Sequence, residues 1–312
     1  MDGVVGKRSG ATVAGREGLA AIYTALPSPF NAAGGLDLQA LSSLVQRLEK
    51  VGVEGFYACG STGECFLLEE GERKAALEAV VGAVKTARVV AHVGTMSTAS
   101  SVSLARHAAA QGAIAVSATP PLYFSYGLEE VSGYYADIAD ASGLPVLVYH
   151  VPNLSGKSFG VDRLAELLRV PGVVGLKHTS MNLHEMERLR RRYPEKLILS
   201  GFDEVFLPAL SMGADGMIGS TVNLMPELFL GIRSAFRGGD WERASALQKT
   251  VNDVIESLTR CPSFFPALKF ALSLVGSPCG NARKPFMTIG EEQKRTIKKV
   301  LTESGLIRDG SQ

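Results

Sequence analysis

Pro145-Val146-Leu147-Val148-Tyr149 and Val173-Val174-Gly175-Leu176-Lys177 are two short apolar runs, each ending on a polar side chain. Both are too short for a helix and lack the alternation of a strand with one wet face, so both read as parallel strands buried on two faces. Runs of the same kind recur upstream at Ala21-Ile22-Tyr23-Thr24, Gly55-Phe56-Tyr57-Ala58-Cys59, Val89-Val90-Ala91-His92-Val93 and Ala113-Ile114-Ala115-Val116-Ser117. Downstream they recur at Leu197-Ile198-Leu199-Ser200 and Gly216-Met217-Ile218-Gly219. Helical stretches are predicted between them, over 38–51, 71–84, 97–111, 129–141, 161–170, 183–192, 203–212 and 225–237. In the first, Leu41, Leu44, Val45 and Leu48 fall on one face at i, i+3, i+4, i+7. Eight strand–helix units predict an α/β fold, a closed (β/α)8 TIM barrel, with an open doubly wound sheet as the alternative because alternation alone does not dictate closure.

Beyond residue 240 the strands stop, and 241–258, 264–275 and 289–304 read as helices. The expected organisation is therefore a disordered tail over 1–17, a barrel over 18–239, and a three-helix C-terminal extension over 240–312 packed on it. Composition narrows the partners. Net charge is only +1, from 32 basic and 31 acidic residues, which offers no general attraction to nucleic acid or an anionic membrane and leaves a small molecule as the expected partner. Four irregularly spaced cysteines with no Cys-x-x-Cys pair suggest reduced, buried thiols rather than a disulfide framework or zinc knuckle. No apolar run reaches the roughly 18 residues of a membrane span, nor does the N-terminus carry the apolar core of a signal peptide. A reducing cytoplasm is the expected compartment.

The unusual polar groups follow strands, on the barrel face that carries active sites. Gly60-Ser61-Thr62-Gly63-Glu64 follows the second run, Pro120-Pro121-Leu122-Tyr123 the fourth, Gly201-Phe202-Asp203-Glu204 the seventh and Gly219-Ser220-Thr221 the eighth, while Tyr149 and Lys177 end the fifth and sixth. Each type has a plain structural use: a strand-end lysine can reach water, a tyrosine can cap the core, and paired acids can start a helix. Together they also suit carbonyl chemistry. A ketone condenses with a neutral amine, and the apolar run before Lys177 supplies surroundings that disfavour an ammonium. Ser61-Thr62-Gly63 offers hydroxyls and backbone N–H groups to a carboxylate, with phosphate as the competing anion. Glu64 reads as structural.

Four signatures, Gly60-Ser61-Thr62-Gly63-Glu64, Tyr149-His150-Val151-Pro152, Gly175-Leu176-Lys177-His178-Thr179 and Gly213-Ala214-Asp215-Gly216 leading to Gly219-Ser220-Thr221, stand in an order and spacing that resemble the family of N-acetylneuraminate lyase and dihydrodipicolinate synthase. The resemblance implies a class I aldolase in which Lys177 forms a Schiff base and Tyr149 moves protons. It further implies that Tyr123 reaches a neighbouring subunit's site to meet the hydroxyl of Ser61, in a homotetramer. Ser61 and Thr62 would hold the pyruvate-type carboxylate, and Thr179, the Gly201 carbonyl, Asp203, Glu204 and Ser220 would bind sugar hydroxyls. No cofactor or metal is implied, and His92, His107 and His178 have no metal-ligand spacing.

Two departures bear on the substrate. The synthases carry an arginine after the tyrosine segment to grip a second carboxylate; here Leu154 stands there, which favours a lyase acting on a 2-keto sugar acid. Val222 and His184 stand where lyases commonly have tyrosines, and Met181-Asn182 replaces a Gly-Asp type of pair. Another pyruvate-dependent aldolase or a keto-sugar-acid dehydratase is therefore the alternative.

Overall fold

The computed structural model describes residues 15–156 and 158–308. Of the tail expected over 1–17, residues 1–14 lie outside the described residues, whereas 15–17 belong to a short helix, α1 (Gly15–Leu19). Eight strands follow: β1 (Ile22–Ala25), β2 (Gly55–Ala58), β3 (Arg88–His92), β4 (Ala115–Ala118), β5 (Val146–His150), β6 (Val173–His178), β7 (Leu197–Ser200) and β8 (Gly216–Gly219). All pair in parallel with their sequence neighbours, and β8 returns to β1, so the sheet is a closed barrel. The doubly wound alternative is excluded.

The strands alternate with α2 (Leu38–Val51), α3 (Glu70–Ala83), α4 (Thr98–Gln111), α5 (Leu128–Ser142), α6 (Pro152–Ser155), α7 (Gly160–Arg169), α8 (Leu183–Arg192), α9 (Phe206–Ser211) and α10 (Pro226–Arg237). In α2 the Asp37 carboxylate caps the Ala40 N–H at 2.9 Å, and Gly52, at φ 100°, ends the helix in the left-handed region. Its buried face is Leu41, Leu44, Val45 and Leu48, each side chain contributing about 1.5–3 kcal/mol by leaving water.

Strand pleating divides the core. Outward residues such as Phe56, Val116, Val148, Leu176 and Ile198 pack beneath the helices, while Tyr23, Tyr57, Val90, Leu147, Leu197 and Ile218 fill the barrel interior. Leu19 of α1 joins this inner cluster and its carbonyl accepts from the Tyr23 hydroxyl at 2.9 Å, closing the barrel's lower end. One layer higher, register sets His92 beside Ser117 and Tyr149 beside Lys177. The lower interior is filled by packed side chains, so chemistry is confined to the upper end.

The close approach of β6 to β7 requires Gly175. A Cβ there would lie 2.1 Å from the Leu197 backbone oxygen, a contact no side-chain rotation relieves. Gly175→Ala is expected to cost about 3 kcal/mol or more in urea unfolding, and an unchanged midpoint would mean that β6 and β7 can part locally.

The extension comprises α11 (Trp241–Thr259), α12 (Phe264–Leu274) and α13 (Glu291–Glu303). Buried Lys269 ties it to the loop after β2: its amine pairs with Glu64 at 2.6 Å and donates to the Ser28 carbonyl at 2.8 Å. Glu64 itself has a left-handed backbone, φ 54°, and also accepts from the Arg283 N–H at 2.7 Å. Its role is structural.

Candidate active site

Lys177, near the end of β6, is 4% exposed. Its Nζ stands 4.1 Å from the Tyr149 ring centroid and 4.6 Å from that of Tyr57. Two aromatic faces therefore bracket the amine and keep solvent from it, and would meet a cation formed on it with their negative ring faces. The Tyr149 hydroxyl lies 3.4 Å from Ser61 Oγ, joining β5 to the turn after β2. Tyr57 meets Tyr149 edge to face, and its hydroxyl lies 3.1 Å from Ser117 Oγ. Burial pushes the Tyr57 phenol well above its ordinary range, so it remains neutral.

His92 completes this aromatic wall, its ring 5.8 Å from that of Tyr149 and nearly perpendicular. Its Nε2 accepts from the Thr119 N–H at 3.2 Å, which assigns the proton to Nδ1, 3.0 Å from the Cys59 carbonyl. Burial, reinforced by the charges of Arg73 and Lys177, pushes this imidazole well below its usual range. It is thus neutral, with both nitrogens engaged. Arg73 is buried beneath it and donates to the carbonyls of Gly94 and His92 at 3.0 and 2.7 Å.

The loops after β6, β7 and β8 form the opposite wall. Asp203 Oδ2 accepts from both the N–H and the hydroxyl of Thr221 at 2.7 Å, while its Oδ1 is buried without a protein partner. Thr179 Oγ1 is likewise buried and unpartnered, and Gly201 is obligatory beside it, since a Cβ there would lie 1.8 Å from that oxygen. Thr62 Oγ1 lies 2.7 Å from Ser220 Oγ, bridging the β2 and β8 loops. Unpaired buried polar atoms each cost about 1–3 kcal/mol unless a ligand or water meets them. Thr179 and Asp203 therefore present groups suited to a polar ligand.

Burial raises the Asp203 carboxyl to about 6, against the lowering effect of the Thr221 bonds. Below the unfolded value of 3.8 both states are protonated and the group is neutral in its effect. As pH rises from there to about 6, the unfolded chain releases the proton first, so stability falls by on the order of 3 kcal/mol and stays lower above that range. Asp203→Asn is expected to remove this dependence, so that urea unfolding shows variant-minus-native stability growing from pH 4 to 7. A constant difference would contradict the assignment.

These walls enclose a cavity of about 470 Å³ lined by Ser61, Thr62, Tyr149, Lys177, Thr179, Gly201, Asp203, Glu204 and Ser220. The structure thus brings together every residue singled out from the sequence except Tyr123, which is 84% exposed and stacks against Phe124. Leu154 also lines the cavity. Val222 is fully buried and His184 exposed. Sequence reasoning missed Tyr57, Ser117 and His92 as the wall around the lysine, and it missed the extension's share of the rim: Ile255, Thr259, Phe264 and Phe265, joined by Phe286.

The structure also assembles one group with metal-ligand chemistry among the described residues: His150, His178 and Glu185. Linear spacing could not reveal it, because the three come from β5, β6 and α8. Against the opposing effect of burial, the two imidazoles hold the Glu185 carboxyl at about 2, while burial pushes His178 down. No helix of the described residues is long and apolar enough to cross a membrane, and all four cysteines are free and buried.

Comparison with known proteins gives this geometry relatives. A model of the dihydrodipicolinate synthetase family matches residues 18–304. An N-acetylneuraminate lyase of Rhizobium meliloti (strain 1021) is 36% identical over 284 residues, covering 91% of this chain and 94% of its own. Among solved structures, CdNal from Clostridium difficile, in complex with mannosamine, superposes with a TM-score of 0.87 at 30% identity, covering 91% of this chain and 98% of that one. YagE, a prophage protein of the dihydrodipicolinic acid synthase family from Escherichia coli K12, in complex with pyruvate, gives 0.88 at 25% identity, covering 92% and 99%.

Proposed function

The chain belongs to the dihydrodipicolinate synthetase family, and from that premise we propose that Lys177 is the Schiff-base residue of a class I lyase that cleaves a 2-keto sugar acid, N-acetylneuraminate foremost, to pyruvate and N-acetylmannosamine. The observation that carries this reading is the buried Lys177 amine, 4.1 Å from the centre of the Tyr149 ring, in a cavity whose far wall presents Asp203 and Thr179. An amine held there meets a ketone; a polar far wall meets hydroxyls.

The Lys177 amine attacks C2 of the keto acid, and loss of water leaves an iminium. The two aromatic faces stabilise that cation where it forms. Tyr149 gives its phenolic proton to the departing C2 hydroxyl, so that its oxygen, partnered by Ser61, can then take the C4 hydroxyl proton; the C3–C4 electron pair flows to the iminium and an aldehyde leaves. Protonation of the resulting enamine and hydrolysis return pyruvate and the free lysine. Ser61 and Thr62 bind the carboxylate, and Thr179, the Gly201 carbonyl, Asp203, Glu204 and Ser220 bind the sugar hydroxyls, with the two unpartnered buried oxygens as the first acceptors. The lysine is its own electron sink.

Leu154 at the cavity wall supports a lyase over a synthase, because it offers no charge to a second carboxylate. A different pyruvate-releasing aldolase or a dehydratase is the second reading, favoured by the fully buried Val222 and exposed His184 in place of hydroxyl-bearing tyrosines. Exposed Tyr123 and Phe124 support association into a homotetramer in which Tyr123 completes a neighbour's site, and the four free thiols support a cytoplasmic location.

Pyruvate release over a panel of 2-keto sugar acids tests the assignment. N-Acetylneuraminate is expected to be turned over, with borohydride trapping pyruvate on Lys177. Trapping together with turnover of a simpler acid alone would transfer the assignment to the second reading; no trapped adduct in folded protein would remove the Schiff base.

A further inference from the structure

We propose that His150, His178 and Glu185 form a binding site for one divalent metal ion of the zinc class, outside the substrate cavity. Alternation along β5 and β6 turns His150 and His178 away from the barrel interior that Tyr149 and Lys177 face, toward α8, which carries Glu185. All three are buried, at 1%, 1% and 3% exposure. None of them lines the cavity already described.

Glu185 Oε1 stands 2.9 Å from His178 Nε2 and 3.3 Å from His150 Nε2, and one ligand atom from each residue lies within 4.8 Å of the other two. Zinc holds imidazole nitrogens and carboxylate oxygens at about 2.0–2.2 Å, which in a tetrahedron separates ligand atoms by roughly 3.3–3.5 Å. Small rotations of the rings therefore suffice. Three protein ligands leave the fourth position to water.

A second observation points to a ligand. His150 Nε2 lies 3.3 Å from Glu185 Oε1 but outside hydrogen-bond geometry and is a buried atom without a hydrogen-bond partner, whereas His178 Nε2 is hydrogen-bonded to the same carboxylate oxygen. One oxygen thus serves one nitrogen and leaves the other unmet. Two ring nitrogens and one carboxylate are a donor set that suits zinc better than magnesium or calcium, which prefer oxygen alone. The ion would join β5 to β6 directly behind the residues next in sequence, Tyr149 and Lys177.

The rival is a purely hydrogen-bonded triad. Full-length protein produced in zinc-supplemented medium and desalted through a weak chelator is expected to retain about one zinc per chain by mass spectrometry. X-ray absorption should show only nitrogen and oxygen neighbours, near 2.0 Å, with no sulfur near 2.3 Å. His178→Gln and Glu185→Gln should each reduce retained zinc at least roughly tenfold. Folded wild-type protein without zinc, a sulfur-containing shell implicating the cysteines, or full retention in both folded variants overturns the proposal. Where a variant does not fold, the wild-type zinc content and absorption spectrum decide.

Discussion

Lys177→Met is expected to abolish pyruvate release, lowering the rate by on the order of 10⁴-fold or more, without unfolding the protein. Methionine keeps most of the buried side-chain volume between the rings of Tyr149 and Tyr57 but has no amine to bond C2. The amine it removes is one that the fold buries at 4% exposure, so the urea midpoint should hold or rise; a polar functional group in an apolar place is often a cost to the native state. Opposite movements of activity and stability distinguish a reacting residue from a packing one. Lys269 is the control. It is as deeply buried, at 2%, but its amine is engaged by Glu64 and the Ser28 carbonyl, so borohydride should leave no pyruvate adduct on it. Turnover within tenfold of wild type in Lys177→Met, or an adduct mapped to Lys269, would move the chemistry to the wrong lysine for this account.

The same contrast explains what could be read in the chain before its fold was known. Lys177 and Tyr149 could be placed at the mouth because each ends an apolar run, and a strand end in a parallel barrel has one exit face; their chemical roles came from the resemblance of the surrounding signatures, not from the runs. All eight strands and the extension helices were likewise legible from run length and periodicity, since burial on two faces leaves a strong local pattern. His92 and Tyr57 were different: both lie within such runs, and nothing along the sequence says which inward side chains become neighbours once β8 closes on β1. The share of the rim supplied by Phe264, Phe265 and Phe286 was hidden for a related reason. A helix pattern predicts a helix, not the surface it docks against, and that docking includes buried side chains shared with the barrel core and a long-range ion pair between Lys269 and Glu64. α1 was missed because its five residues are too few to show a period; its fold follows from Leu19 plugging the barrel and Arg16 pairing with Asp215.

Tyr149→Phe is the second large effect expected, a loss of roughly 10²–10⁴-fold in kcat, the usual contribution of a positioned acid or base. The substitution removes one oxygen and leaves the ring, so the face 4.1 Å from the Lys177 amine and the edge contacts with Tyr57 and His92 persist. Imine formation should therefore remain detectable by borohydride trapping, though slower, while cleavage of the C3–C4 bond stalls; KM should change little. Tyr57→Phe is the matched comparison, because Tyr57 offers the amine a similar ring at 4.6 Å but turns its hydroxyl to Ser117. Its loss should cost about 1 kcal/mol of stability and only a small part of the rate. If instead Tyr57→Phe were the inactive variant and Tyr149→Phe nearly normal, the proton would have to travel through the Tyr57–Ser117 pair, and the 3.4 Å approach of Tyr149 to Ser61 would be a packing contact rather than the path.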